Sequence, residues 1–277
     1  MLPRRIFLAG ALVATLTLPA AAESTWDELR PLVFGDAVPV LEPSVVQLTA
    51  PYRTYDDPRT DIGARIDMPF GEFIETVTLI LDDNPMPVSA VFDLTTPQPS
   101  FEFSATMRVN GPTMVRVVVE TDRGNFYMAE NFVKTSGTGA CAAPPGTDPA
   151  EALATLGTME FGLVAEVDTG IVASLEPPTA SSISGPSGRL AQLDIDHPSH
   201  SGMQMDQITL LFIPARYVDT VAVEADGTPI FNLTGSISLS ENPAVRFRIP
   251  EDSVTLGVRM TDTEGAVFEN TFNLPGG

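Results

Sequence analysis

Met114-Val115-Arg116-Val117-Val118-Val119-Glu120, then Thr121-Asp122-Arg123-Gly124, then Asn125-Phe126-Tyr127-Met128-Ala129-Glu130-Asn131-Phe132 decide the fold class. Val115, Val117 and Val119 recur every second residue against Arg116 and Val118, which is the period of a strand and not of a helix. Asp122-Arg123-Gly124 is a turn signal between two such runs. Working outward, the same grammar repeats at Ser44–Ala50, Gly63–Asp67, Thr76–Leu81, Ser89–Leu94 and Phe101–Val109. The breakers between them are Asp83-Asn84-Pro85, Pro97-Gln98-Pro99 and Asn110-Gly111-Pro112. About seven short strands at this spacing predict an antiparallel β-sandwich. Ahead of them, Trp26 to Phe34 reads as a short helix, with Ser24 or Thr25 as N-cap and Gly35 ending it.

Residues 135–156 interrupt the pattern with a tether rich in Gly, Ala and Pro. It carries the chain's one cysteine, Cys141, and then a short helix begun at Asp148-Pro149. A second series follows at Met159–Asp168, Arg189–Asp196, Gln207–Ile213, Thr220–Glu224, Pro229–Leu233, Ala244–Ile249, Thr255–Thr261 and Ala266–Asn273. Pro177 to Ser187 is a Pro/Ser/Gly-rich loop inside it. The expectation is an all-β protein of two sandwiches, residues 23–134 and 157–277, that do not share one long sheet.

Residues 1–22 read as an address. Arg4-Arg5 precede an apolar stretch from Ile6 to Leu18, and Ala20-Ala21-Ala22 form a cleavage site. That stretch is shorter than the roughly 17–25 residues a spanning helix needs. Arg4-Arg5-Ile6-Phe7-Leu8 resembles a twin-arginine start, and the general secretory route fits as well. The mature chain is expected in a bacterial periplasm, without membrane insertion. With 15 Lys+Arg against 36 Asp+Glu, the chain has a net charge of −21. Such a surface repels phosphate backbones, so nucleic acid is excluded as a partner.

Cys141 sits in Ser136-Gly137-Thr138-Gly139-Ala140-Cys141-Ala142-Ala143-Pro144, a segment with neither strand nor helix periodicity. A thiol on such an exposed, mobile segment is either a used group or an accidental surface cysteine. No His is local and Lys134 is seven positions away, so an activated nucleophile is not implied. A thiol loaded and unloaded by partner enzymes fits better, and seven extended residues would carry it roughly 20 Å. One cysteine allows neither an internal disulfide nor a Cys-rich metal site. The second cluster is His197, His200, Met203 and Met205, which holds both histidines of the protein. Imidazole with thioether suits copper. The other reading is a strand-end turn marked by Pro198 and Gly202, with Met203 and Met205 as packing residues. Close carboxylates at Asp56-Asp57, Asp82-Asp83, Asp194 with Asp196 and Glu251-Asp252 read as solvated charge. No resident cofactor and no acid–base constellation of an independent enzyme is expected.

The N-terminal half resembles SoxY, the sulfur-carrying subunit of thiosulfate-oxidising systems. The matching pieces are Trp26-x-x-Leu29-Arg30 with Phe34-Gly35, Ala50-Pro51, Asp83-Asn84-Pro85-x-Pro87 and the strand after Phe101. The C-terminal half resembles SoxZ through His197-Pro198, Ser201-Gly202, Asp206, Ile213-Pro214-Ala215, Asp226-Gly227, Ser240-Glu241-Asn242-Pro243 and Phe247. Their order is that of a SoxY–SoxZ fusion, similar to the quinoprotein dehydrogenase-associated SoxYZ-like carriers. The resemblance implies two immunoglobulin-like sandwiches packed together and a covalent carrier thiol, for which Cys141 is the matching residue. It implies periplasmic redox partners, a quinoprotein dehydrogenase or a c-type cytochrome. Two features depart from the pattern. The SoxY cysteine ends its chain in a Gly-Gly-Cys-Gly-Gly-like arm, whereas Cys141 is internal and flanked by Ala. SoxZ continues His-Pro with Met-Glu-Thr-Gly, whereas this chain has Ser199-His200-Ser201-Gly202. A second function class stays open beside the carrier, a periplasmic binding or assembly module using His197, His200, Met203 and Met205 for copper.

Overall fold

Val115, Val117 and Val119 are fully buried, as their alternation predicts, but Val118 on the opposite face is buried too. The second face has its own cover. Helix α1, Thr25–Phe34, lays Trp26, Leu29 and Phe34 over Ile80, Val118 and Met128. The helix stops where expected, with the Gly35 N–H donating to the Pro31 carbonyl and Gly35 at φ +59°. Arg116 shares this outer face, its guanidinium 4.6 Å from the Trp26 ring and paired with Asp82 and Glu130.

The computed structural model describes residues 25–137, 140, 153–164, 188–205 and 210–275. The leader expected at 1–22, Cys141 itself, the short helix expected from Asp148, the loop expected at 177–187 and Asp206 lie outside the described residues. The strands are β1 Val40–Leu41, β2 Val46–Thr49, β3 Thr60–Asp67, β4 Ile74–Leu81 and β5 Val88–Gln98. They continue as β6 Ser100–Met107, β7 Thr113–Thr121, β8 Phe126–Val133, β9 Met159–Leu163 and β10 Arg189–Ile195. The last five are β11 Val218–Ala225, β12 Thr228–Thr234, β13 Ala244–Ile249, β14 Thr255–Asp262 and β15 Val267–Asn273. No described helix is long and apolar enough to cross a membrane.

Two sheets face each other in the immunoglobulin-like manner. One has nine strands in the order β1-β8-β7-β4-β5-β12-β11-β14-β15, the other six in the order β2-β3-β6-β13-β10-β9. Among the named strands all pairings are antiparallel except β1 on β8, where Val40 lies opposite Tyr127. The chain changes sheet between β5 and β6, at Pro99. One expectation is corrected here: the two halves share both sheets. β5 pairs with β12 from Leu94 opposite Phe231 to Val91 opposite Thr234, and β6 pairs with β13 from Phe103 opposite Phe247 to Ala105 opposite Val245.

Aromatic packing at the joint explains why the sheets run on. Phe92 and Phe103 lie 4.4 Å apart by ring centroids, Phe231 and Phe247 5.1 Å, and Phe92 and Phe231 5.6 Å. Phe92, Phe231 and Phe247 are among the largest wholly buried side chains, and one hydrophobic core extends through both halves. Separating the halves would expose all of these rings at a cost of roughly 2–3 kcal/mol each.

A further correction concerns Gln207–Ile213. Leu210, Leu211 and Phe212 form no strand, only a bridge between Phe212 and Met205, and all three are exposed with Leu210 at φ +58°. An apolar run without a sheet to dock on does not become a strand.

Candidate functional site

The pairings place one set of loops at one end of the sandwich. β4, β6, β8, β10, β12 and β14 all finish there, at Leu81, Met107, Val133, Ile195, Thr234 and Asp262. The chain leaves β8 at this end and runs toward Cys141.

Its first steps are held by backbone pairing. The Lys134 N–H donates to the Tyr52 carbonyl at 2.8 Å, and the Thr54 N–H donates to the Lys134 carbonyl at 2.9 Å. The Lys134 ammonium lies 5.0 Å from the Tyr52 ring centroid, a cation–π contact. Beyond Lys134 a buried carboxylate takes over. Asp57 accepts the Ser136 N–H at 2.7 Å, the Ser136 hydroxyl at 2.9 Å and the Gly137 N–H at 3.2 Å, together with the Thr54 hydroxyl. Burial alone would push the Asp57 carboxyl up. The hydrogen bonds from Thr54, from Ser136 backbone and side chain and from Gly137 outweigh it and hold the carboxyl down at about 2. Gly137 has φ +96°, a conformation that a side chain would strain. Ala140, the residue before Cys141, is buried. The expectation of an exposed segment holds at Ser136 and Gly137, which stay exposed while bonded to Asp57, and is corrected at Ala140, which is buried.

Sequence reading missed Asp57. The Asp56-Asp57 pair was expected to be solvated, yet Asp57 is 0% exposed, and Asp82 of the Asp82-Asp83 pair is likewise buried against Arg116. The available signal was Thr54 three positions before Asp57, a hydroxyl spaced to donate to that carboxylate.

A belt of hydrogen bonds runs from this root into the other half. The Asp57 carbonyl accepts from the Val109 N–H at 2.8 Å. Asn84 accepts from the Asn110 N–H at 3.1 Å and donates to the Arg108 carbonyl at 2.8 Å and the Ser238 hydroxyl at 3.0 Å. Arg108 donates to the carbonyls of Ile237 and Leu239. Arg59 donates to the Asn242 carbonyl at 3.2 Å. Asn242, at φ +44°, then caps the His197 turn: its side chain accepts from the His197 N–H at 2.9 Å, and its own N–H donates to the His197 carbonyl at 2.8 Å.

His197 faces the core. It is 0% exposed, and Nδ1 accepts the Ser199 N–H at 2.9 Å. The proton of the neutral ring then sits on Nε2, which points toward Asp262 Oδ2 at 3.7 Å, beyond hydrogen-bond range. Burial depresses its pKa to about 4 despite the opposing pull of Asp262. Asp262 is held instead by Arg216, at 2.7 and 2.8 Å. His200 Nδ1 lies 2.8 Å from Gln204 Oε1, while Met203 and Met205 are 40% and 44% exposed. The four residues of the expected copper cluster are thus divided between core and surface. Among the described residues no group of three His, Cys, Asp or Glu side chains could hold a metal ion.

The comparisons with known proteins agree with the sequence motifs. The family model described as sulfur oxidation protein SoxY matches residues 31–141, and that described as sulphur oxidation protein SoxZ matches residues 187–273. No curated protein matches. Among solved structures, the sulfur carrier protein SoxY from Chlorobium limicola f thiosulfatophilum is 24% identical with a TM-score of 0.35, over 40% of this chain and 96% of that one. A superoxide reductase (neelaredoxin) from Ignicoccus hospitalis is 10% identical with a TM-score of 0.27, over 33% of this chain and 80% of that one. With both models matched in order along one polypeptide, the chain belongs to the SoxY and SoxZ families as a SoxY–SoxZ fusion.

Proposed function

We propose that this protein is a non-enzymatic carrier that holds a sulfur-type intermediate covalently on Cys141 while partner redox proteins act on it. SoxY and SoxZ domains indicate a sulfur-oxidation carrier. The observation that carries the finer reading is the position of the cysteine: the SoxY match runs to residue 141, and the one thiol of the chain stands there. The arm toward it leaves a sandwich whose loops are pinned across both halves, so the body supplies a fixed platform. Joining a sulfur cargo to a thiol as an S–S bond removes two electrons and two protons from the pair of thiols. That requires an electron acceptor. A c-type cytochrome or a quinoprotein dehydrogenase system supplies one, and the acidic body complements a basic partner surface. The leader at 1–22 supports a periplasmic location.

Replacing Cys141→Ser in the native host tests the reading. Loss of sulfur-compound oxidation, with the purified variant folded as the wild type, is the expected result; full activity in the variant would end the proposal.

A further inference from the structure

Asp57 has more to do than satisfy its own burial. The ladder of β8 ends at Val133, opposite Thr113, and the bridge of Lys134 to Arg53 is the last backbone pairing described on the way to Cys141. Past that point, three donors of the arm converge on one carboxylate from the loop between β2 and β3: the Ser136 N–H, the Ser136 hydroxyl and the Gly137 N–H. Sheet formation requires none of these bonds. They join a loop of the six-stranded sheet to a segment leaving the nine-stranded one, and the charge makes each about twice as strong as a neutral bond. Ala140, the residue before Cys141, is buried as well, so the described residues on the way to the thiol meet the body at 136–137 and again at 140.

We infer that Asp57 is a positioning residue that fixes the root of the carrier arm, Ser136 and Gly137, on the loop between β2 and β3. The inference rests on the carrier reading for its purpose, but the anchoring is measurable without it. An anchored root delivers the thiol to a docked enzyme with little of the arm's conformational entropy left to lose. Asp57 touches no cargo and acts through Ser136 and Gly137.

Lys134 is the only lysine in the chain, so a lysine-specific endoproteinase has a single cleavage site, at the arm root. The experiment compares two rates on the folded full-length protein: cleavage after Lys134, and alkylation of Cys141 by a bulky maleimide. Asp57→Ala and Asp57→Asn are expected to raise both about tenfold or more, from loss of charge-assisted hydrogen bonds. Thr54→Ser, which keeps the hydroxyl on Asp57, should retain wild-type rates. Val223→Ala, a buried position in the other half, should leave both unchanged although it destabilises the fold. If Asp57→Ala does not fold, Ser136→Ala removes one anchor from outside the core and should raise both rates by about threefold. Unchanged alkylation in the Asp57 variants, or an equal rise in Val223→Ala, would overturn the inference. The mass of the native protein decides the carrier reading separately, since cargo on Cys141 leaves the Asp57 comparison standing either way.

Discussion

Ser136 gives both of its donors to Asp57, the backbone N–H to one carboxylate oxygen at 2.7 Å and the hydroxyl to the other at 2.9 Å. An exposed serine in the chain leading to Cys141 is thereby tied to the loop between β2 and β3. The rigidity of the root and the chemistry assigned to the arm are two sides of one arrangement, and the first can be measured without the second.

The Asp57 carboxyl is held below its unfolded value, so its stabilisation is present above the unfolded pKa and lost as pH falls toward the folded one. A lowering from 3.8 to about 2 corresponds to about 2 kcal/mol, lost between roughly pH 5 and pH 2. Urea unfolding followed across that window should show this slope in the wild type and not in Asp57→Asn. An identical slope in both would mean that the carboxylate is not anchoring the arm.

His197 produces an earlier acid effect. Its folded pKa lies below the unfolded one, so the unfolded chain binds the extra proton first and stability falls as pH drops from about 6.5 to about 4. The full effect is about 3 kcal/mol. His197→Gln should flatten the stability curve between those values. A His197 ring that titrates near 6.5 by NMR in the folded protein would contradict this burial.

Phe231 sits at the junction of the halves, against Phe92 and Phe247. Phe231→Ala should cost about 3–5 kcal/mol. Because the core is shared, the wild type and the variant should each melt in one calorimetric transition. Two separate transitions would mean that the halves fold as independent sandwiches.

Asn84 accepts one and donates two hydrogen bonds among buried groups of three loops. Asn84→Ala should cost about 2–4 kcal/mol, because the Asn110 N–H and the Arg108 carbonyl lose their partner. The check is the same urea titration, and a change within about 0.5 kcal/mol would place Asn84 among ordinary surface residues.

The strands were legible because their alternation is a local property. Thr76–Leu81 and Met114–Glu120 became β4 and β7 with ends moved by one or two residues. The shared sheets were not legible. Phe92 opposite Leu233 and Phe103 opposite Phe247 are pairings across more than 130 residues, and no local pattern distinguishes them from pairings within a half. Asn84 and Asn242 stood out as parts of family motifs, and the structure gives them physical content as clamps on adjoining loops. Asp57 was hidden for the opposite reason. Next to Asp56 it reads as ordinary surface charge, and only the return of residues 136–137 to the same loop reveals why a charged group is buried there. His197 was read with His200 as one cluster by nearness in sequence. The left-handed turn at Ser199, φ +43°, separates them, turning His197 inward and leaving His200 beside Gln204.

The most direct test of the central claim is the intact mass of the mature protein taken from its native host, before and after reduction. The account predicts a reductant-sensitive addition that maps to the peptide containing Cys141 in protein from cells oxidising sulfur compounds, and its disappearance in Cys141→Ser. A free, fully alkylatable thiol throughout active oxidation, with no adduct trapped at any stage, would contradict it.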